Sequence, residues 1–153
     1  MGASQQQLQE LSQQLQEIQE QIELLREDVE AVRDQQDAVD EATDAIEQLE
    51  SGSTVQVPLG GGAYVRATIE DIDEVIVELG ADYALERDQE GAIETLEHKK
   101  DRLDDRIEEL EDQISELEAE SGQLEQQAQQ LQQQAMQQQM QQMQQGQEQS
   151  PDE

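Results

Sequence analysis

Three features of this sequence carry residue types that could support chemistry. Consecutive glycines can cradle phosphate, clustered carboxylates can bind calcium, and a histidine can transfer a proton. The run Gly60 to Gly62 lacks the Lys-Ser/Thr ending and the spacing of a phosphate loop. The acidic run at residues 70–74 lacks the glycine and distal glutamate of a calcium loop, and His98 falls at an outward position of a helical pattern. We therefore predict a turn, a solvated linker and a surface residue.

Enzyme chemistry is not predicted for this chain. His98 is the only histidine and cysteine is absent, so neither a thiol nucleophile nor a His/Cys metal set can be assembled. No serine or lysine stands in a recognisable nucleophilic setting. Four basic residues could form a docking patch, although neutralisation of surrounding carboxylates is the favoured interpretation; they are Lys99, Lys100, Arg102 and Arg106. We expect no catalytic residue, no metal and no cofactor.

The methionines near the C-terminal end have side chains suited to binding. Met136, Met140 and Met143 form a stripe within a glutamine-rich stretch. Unbranched, polarizable methionine adapts to irregular apolar partners. The alternative is a disordered glutamine-rich tail, which the composition also allows. Their position at the end of a long helical pattern favours a binding surface.

The composition excludes several classes of protein. Only 33% of the residues are hydrophobic, Phe and Trp are absent, and the formal net charge is -31 at pH 7. A wide globular core is therefore not expected, and nucleic-acid phosphates would be repelled. We find neither a leader-like start nor an apolar run that could span a bilayer. We expect a cytoplasmic protein without nucleic-acid or membrane partners, in a salt-rich cytoplasm that screens its self-repulsion.

Two heptad patterns predict the long helices that would present these residues. Their apolar residues alternate steps of three and four, which is typical of coiled coils. The first pattern comprises Leu8, Leu11, Leu15, Ile18, Ile22, Leu25, Val29, Val32, Val39 and Ile46. The second comprises Ile93, Leu96, Leu103, Ile107, Leu110, Ile114, Leu117, Leu124, Ala128 and Leu131. Antiparallel pairing would place Arg26 near Glu111 and Glu118, with Met140 and Met143 past the end of the first helix.

The segment between the helices predicts two β-hairpins. Val55, Val57 and Leu59 alternate with Thr, Gln and Pro, and three turn glycines, Gly60, Gly61 and Gly62, permit positive φ. A second strand pair turns at Gly80. Hairpins alone are marginal and leave open edges, so other subunits should complete the sheet. The predicted regions are a helix at 1–50, the double hairpin at 51–86, a helix at 87–145 and a disordered tail at 146–153.

This order of elements, together with VPLGGGAYVRATIEDIDEVIVELGADYALE, resembles the alpha subunit of archaeal prefoldin, and the acid content points to a haloarchaeal member. The resemblance implies an α+β fold: a long antiparallel two-helix coiled coil joined by two β-hairpins that form part of an oligomeric β-barrel. It implies a heterohexamer of two alpha and four prefoldin beta subunits. It also implies an ATP-independent chaperone that captures unfolded proteins at coiled-coil tips and delivers them to a group II chaperonin.

Two sets of site residues accompany this interpretation. The expected subunit interface comprises Val55, Val57, Leu59, Tyr64, Val65, Ala67, Val75, Ile76, Val77 and Leu79. Client contact is expected at Leu8, Leu11, Leu131, Met136, Met140 and Met143. The alternative function is a structural coiled-coil scaffold without client-holding activity. Such a scaffold would need no partner for its hairpins and would not suppress aggregation.

Overall fold

The computed structural model describes residues 2–148, which form a helix, two β-hairpins and a second helix. The elements are α1 (Gly2–Gln48), β1 (Thr54–Gly60), β2 (Ala63–Thr68), β3 (Val75–Gly80), β4 (Tyr83–Arg87) and α2 (Gln89–Glu148). Strand β1 pairs antiparallel with β2, and β3 pairs antiparallel with β4. The predicted α+β class, with two long helices and two antiparallel hairpins, is confirmed.

The second helix is longer than the sequence predicts. The sequence predicts a helix to residue 145 and a disordered tail from residue 146, but α2 continues through Glu148. Glutamine and methionine rank among the good helix formers, and a single glycine such as Gly146 costs a helix only about 1 kcal/mol. The prediction is therefore wrong for residues 146–148. The rest of the predicted tail, 149–153, lies outside the described residues.

Contacts divide the chain into two units, of which the first joins residues 2–28 with residues 110–148. In this unit the heptad positions of both helices form the buried seam, with Ile18, Ile22 and Leu110 the most enclosed hydrophobic side chains. The other heptad residues of the unit are half-buried. Arg26 Nη2 lies 3.1 Å from Glu118 Oε1, so one of the two neighbours predicted for Arg26 is present. Because the pair is exposed, it stabilises the fold by only about 0 to 1 kcal/mol.

The second unit spans residues 29–109 and contains both hairpins. Its apolar cluster joins one strand to both helices: Val77 packs with Val39 of α1 and with Ala92 and Leu96 of α2. Ala42, Ile46, Val75 and Leu103 pack around this cluster. The second hairpin is therefore anchored by its own chain.

Polar side chains at the helix seam of the second unit are paired across the two helices. Lys100 Nζ donates to Asp40 Oδ1 at 2.8 Å, and this hydrogen bond raises the pKa of the Lys100 ammonium above its ordinary value. The Gln36 amide donates to the Asp104 carboxylate and to the carbonyl of Lys100. Arg106 pairs with a carboxylate of its own helix. These contacts support neutralisation as the role of the basic residues.

The chain between hairpin and helix is held by side-chain caps. Asp88 caps the start of α2, because its carboxylate accepts a hydrogen bond from the Gly91 amide at 2.7 Å. A Cβ at Gly91 would lie 2.5 Å from Asp88 Oδ1, so any larger residue here would force the capping carboxylate to shift. The Gln89 side chain donates to the carbonyls of Ile46 and Leu49 at 2.7 and 3.1 Å, which caps the end of α1. These bonds link the end of one helix to the start of the other.

The two hairpins are built alike and are related by a shift of twenty positions. The pairs Gly60↔Ala63 and Gly80↔Tyr83 each close a two-residue turn, with one unpaired residue before the glycine. The segment VQVPLG therefore aligns with VIVELG. Both bulge glycines have nearly the same positive φ, 96° at Gly60 and 97° at Gly80. The repeat makes position-by-position comparison of the two hairpins valid.

The turns of the two hairpins differ in their strain. The first uses Gly61 and Gly62 at φ 62° and 80°, whereas the second uses Ala81 and Asp82 at φ 51° and 64°. Holding a residue with a side chain in the left-handed region costs about 1 to 2 kcal/mol, and glycine avoids this cost. Glycine also loses more conformational entropy on folding, which offsets part of the gain. We therefore expect Ala81→Gly to raise the free energy of unfolding by about 0.5 to 1 kcal/mol. Chemical unfolding of the full chain in molar KCl measures it.

Gly61→Ala is the matched control for that variant, because it introduces the same methyl group at the equivalent turn position. Gly61→Ala should lower the free energy of unfolding of the chain. If the first hairpin unfolds before the rest of the chain, the measured free energy should stay unchanged. A loss of stability in Ala81→Gly would contradict the assignment of strain to Ala81.

Candidate functional site

The first hairpin presents an apolar face that the described residues leave open. This hairpin-1 face consists of Val55, Val57, Leu59, Val65 and Ala67, which alternate along β1 and β2 and so share one side. Val57 and Val65 are directly paired, and both are exposed, as is Leu59. Only Val55 and Ala67 are half-buried. An apolar surface of this kind is typical of an interface rather than of a free monomer.

The equivalent side of the second hairpin is partly covered by the chain itself: Val77 is enclosed, whereas its cross-strand partner Leu85 is 39% exposed. Val77 is 5% exposed, whereas Val57, its counterpart twenty residues earlier, is 40% exposed. Val75 and Leu79 are half-buried beside Val77. Among the ten predicted interface residues, Val77 therefore differs: its side chain is already enclosed by the chain's own helices and has little surface left for another subunit.

Further apolar side chains of the hairpins are exposed outside the hairpin-1 face. Tyr64 and Ile76 were predicted as interface residues and are exposed, but Tyr83 and Leu85 are also exposed and were missed. The repeat contains the signal that would have found Leu85, because it aligns with Val65. Each hairpin is a separate two-stranded sheet, so each of the four strands has an edge without a β partner among the described residues. The hairpins thus present exposed apolar side chains as well as open strand edges.

The helix segments of the first unit near the chain ends form a second candidate surface, which we call the neutral end. It comprises residues 2–16 of α1 and 126–147 of α2, and Glu10 is its only charged residue. Met136, Met140 and Met143 lie on its outer side and are 66%, 68% and 76% exposed. Their steps of four and three place them on one helix face. They form an apolar stripe, which we call the methionine face.

The methionine face lies off the seam between the two helices. The expected register places Met140 past the end of the first helix. In the structure, Ser4 and Gln5 of α1 line one groove together with Ala135, Gln138 and Gln142 of α2, close to the positions that the expected register pairs. Met140 is exposed because it faces away from the seam, whose positions here are occupied by glutamine and alanine.

The leucines predicted to contact clients lie in grooves rather than on the outer face. Leu11 and Leu131 are half-buried in a groove of about 400 Å3, the larger groove, which is lined by Gln7, Glu10, Leu11, Gln14, Gln127, Gln130, Leu131 and Gln134. Leu8 lies in a second groove of about 120 Å3, with Ala135 and a polar rim. The predicted client-contact residues are therefore brought together in one unit, but on two kinds of surface.

Residues 2–148 contain neither a metal-binding cluster nor a membrane-spanning helix. This described part of the chain contains no group of histidine, aspartate and glutamate side chains placed to hold a metal ion. None of its helices is both long enough and apolar enough to cross a membrane. His98 is an exposed residue of α2.

The fold and its two surfaces define a class of protein in which two long antiparallel helices are joined through two β-hairpins with open edges. A sequence model described as Prefoldin subunit matches residues 18–146. The chain belongs to the prefoldin family.

Its similarity to individual family members is uneven in length. It is 61% identical over 107 residues to prefoldin subunit alpha of Halorubrum lacusprofundi, covering 70% of each chain. It is 70% identical over 61 residues to prefoldin subunit alpha of Haloarcula marismortui, a match that spans only 40% of each protein. A filamentous prefoldin from Methanocaldococcus jannaschii has a similar structure, with a TM-score of 0.50 and 25% identity over 78% of this chain and 95% of that one. The resemblance to haloarchaeal alpha subunits is confirmed.

Proposed function

We propose that this chain is an alpha-class subunit of a cytoplasmic, ATP-independent chaperone that captures unfolded proteins and delivers them to a group II chaperonin. Family membership over residues 18–146 supports a chaperone-type function. The observation that carries the holding role is the methionine face, where three methionines stand exposed on an uncharged helix segment. Methionine adapts to irregular apolar partners, so one surface can accept many clients. This function requires neither a cofactor nor a catalytic residue.

Assembly is the second part of the proposal. The hairpin-1 face and the open strand edges would be covered by prefoldin beta subunits, in a heterohexamer of two alpha and four beta subunits. Burial of exposed valine and leucine is favourable by about 25 cal/mol per Å2 of apolar surface, which would stabilise such a complex. An assembled particle would hold one client through several weak contacts at once, and avidity would compensate for their weakness.

Client capture should depend on the methionine face. Replacing Met136, Met140 and Met143 together by glutamine keeps chain length and helix propensity but removes the exposed apolar side chains. We expect the assembled complex to suppress aggregation of a denatured protein several-fold less well, because apolar contact is lost while assembly is retained. Light scattering of the diluted denatured protein, at equal complex concentration, measures the effect.

Leu24→Gln is the matched control, since Leu24 is 60% exposed but lies on an acidic part of α1. This variant should suppress aggregation as well as the original chain does. Equal suppression by the triple methionine variant and the original would place capture elsewhere. If the original chain neither associates with a beta subunit nor suppresses aggregation, the scaffold alternative is correct.

A further inference from the structure

The neutral end stands out from the charge distribution of the helices. The chain has 39 acidic residues and a net charge of -31, yet the neutral end contains only Glu10. Segments of this length elsewhere on the helices carry many carboxylates. A surface with a single carboxylate repels acidic peptides and selects basic ones only weakly, and salt has little effect on its contacts. This chemistry suits recognition of a group that every polypeptide shares.

The larger groove of the neutral end has a counterpart two heptads further along the same flank, in the same unit. Leu11 and Leu131 form the floor of the first groove, and the equivalent Leu25 and Leu117 line the second, which measures about 450 Å3. The rims differ at equivalent positions. Gln130 and Gln134 of the neutral end correspond to Glu116 and Glu120 of the counterpart. The two grooves have a similar size and floor, and on α2 their rims differ by this amide-for-carboxylate exchange. On α1, Leu24 of the counterpart stands where the neutral end has Glu10.

We propose that the larger groove of the neutral end binds an extended segment of unfolded polypeptide through its backbone. This inference rests on the proposed function and specifies the ligand of that site. A glutamine carboxamide both donates and accepts hydrogen bonds, as a peptide group does, whereas a glutamate carboxylate only accepts them. Unfolded segments carry peptide groups that lack partners within the chain. Five glutamines can therefore pair with the ligand's backbone while Leu11 and Leu131 contact an apolar side chain.

The size of the groove favours an extended segment over a helix of a second copy. An α-helix with its side chains is about 10 to 12 Å wide, so 400 Å3 would hold only about one turn of it. An extended chain is narrower and presents its peptide groups to both sides. Volumes of about 300 to 1,000 Å3 are usual for sites that enclose small ligands. The ligand is thus a short, extended stretch of chain, with no requirement for charge.

The test uses the full chain in molar KCl and a fluorescein-labelled, unstructured peptide of leucine, serine and glycine. Gln130→Glu with Gln134→Glu should weaken binding of this peptide about tenfold, as should N-methylation of the peptide's own amides. The control, Gln129→Glu with Gln133→Glu, adds the same charge on the same helix outside the groove lining and should bind as the original does. The reverse pair, Glu116→Gln with Glu120→Gln, should create a second site of similar affinity. Fluorescence anisotropy measures affinity and stoichiometry.

Several results would overturn the proposal. Equal binding of the N-methylated and parent peptides would exclude backbone recognition, and equal weakening by both glutamate pairs would assign the effect to charge alone. A dimer of the chain that Gln130→Glu with Gln134→Glu dissociates, without peptide binding, would make the groove a self-association site. Glutamate and glutamine have similar helix propensities, so equal helix content by circular dichroism verifies the fold. If the peptide does not bind the groove but the triple methionine variant still loses client capture, the groove proposal is wrong and the proposed holdase function stands.

Discussion

Val77→Asp should destabilise the full chain by about 3 to 5 kcal/mol, which is enough to unfold its hairpin region. Val77 is 5% exposed and packs with Val39, Ala92 and Leu96, so an aspartate would bury a carboxylate among apolar side chains. The cluster joins β3 to both helices, and its loss would free the second hairpin from them. Chemical unfolding in molar KCl, followed by circular dichroism, measures the change.

The repeat supplies a control of the same chemistry for this variant. Val57→Asp makes the identical substitution at the equivalent position of the first hairpin, where the side chain is 40% exposed. Its carboxylate stays hydrated, so the cost to the isolated chain should be below about 1 kcal/mol. If the two variants lose equal stability, the unequal burial of the two hairpins does not describe the chain in solution.

Val57→Asp should instead prevent assembly. In a complex, residue 57 would be enclosed with Leu59 and Val65 against a neighbouring subunit, and the carboxylate would lose its water there. Central interface residues commonly contribute 2 kcal/mol or more, so we expect association with a beta-class subunit to weaken about 100-fold. Light scattering coupled to gel filtration, on mixtures of the two chains in molar KCl, measures the mass.

Gln56→Asp is the control for assembly, because it adds the same charge on the other side of β1, where Gln56 is paired with Arg66. This variant should still reach the mass of the complex. A full-size complex with Val57→Asp would show that the hairpin-1 face is not an interface. Loss of the complex with both variants would attribute the effect to net charge or to the strand edge.

The helices were predictable from the sequence because their packing is local and periodic. Every apolar step of three or four between Leu8 and Leu25 corresponds to a position that is buried or half-buried. The two hairpins were predictable for a similar reason, since alternation and turn glycines act over a few residues. The end of α2 was predicted three residues too early, although the residues there favour helix.

The roles of individual surface residues were not predictable in this way. The methionine face was inferred from a register, yet its exposure depends on which side of α2 the methionines occupy. The grooves of the neutral end are lined by side chains from both helices, more than one hundred positions apart in the chain. The sequence pattern shows where the glutamines lie along the chain, but it does not show that they surround Leu11 and Leu131 in one groove.

The linear sequence is sufficient to predict the heptad seams, the two hairpins, the near absence of charge at the neutral end and the family. Each of these depends on residue type and short-range spacing, which a linear pattern records in full. The enclosure of Val77 and the exposure of Val57 follow from the folded structure. The two valines occupy equivalent strand positions in similar local sequences, and what separates them is contact with helix residues Val39 and Leu96. Burial of that kind is set by long-range packing, so it becomes visible only when the chain is folded.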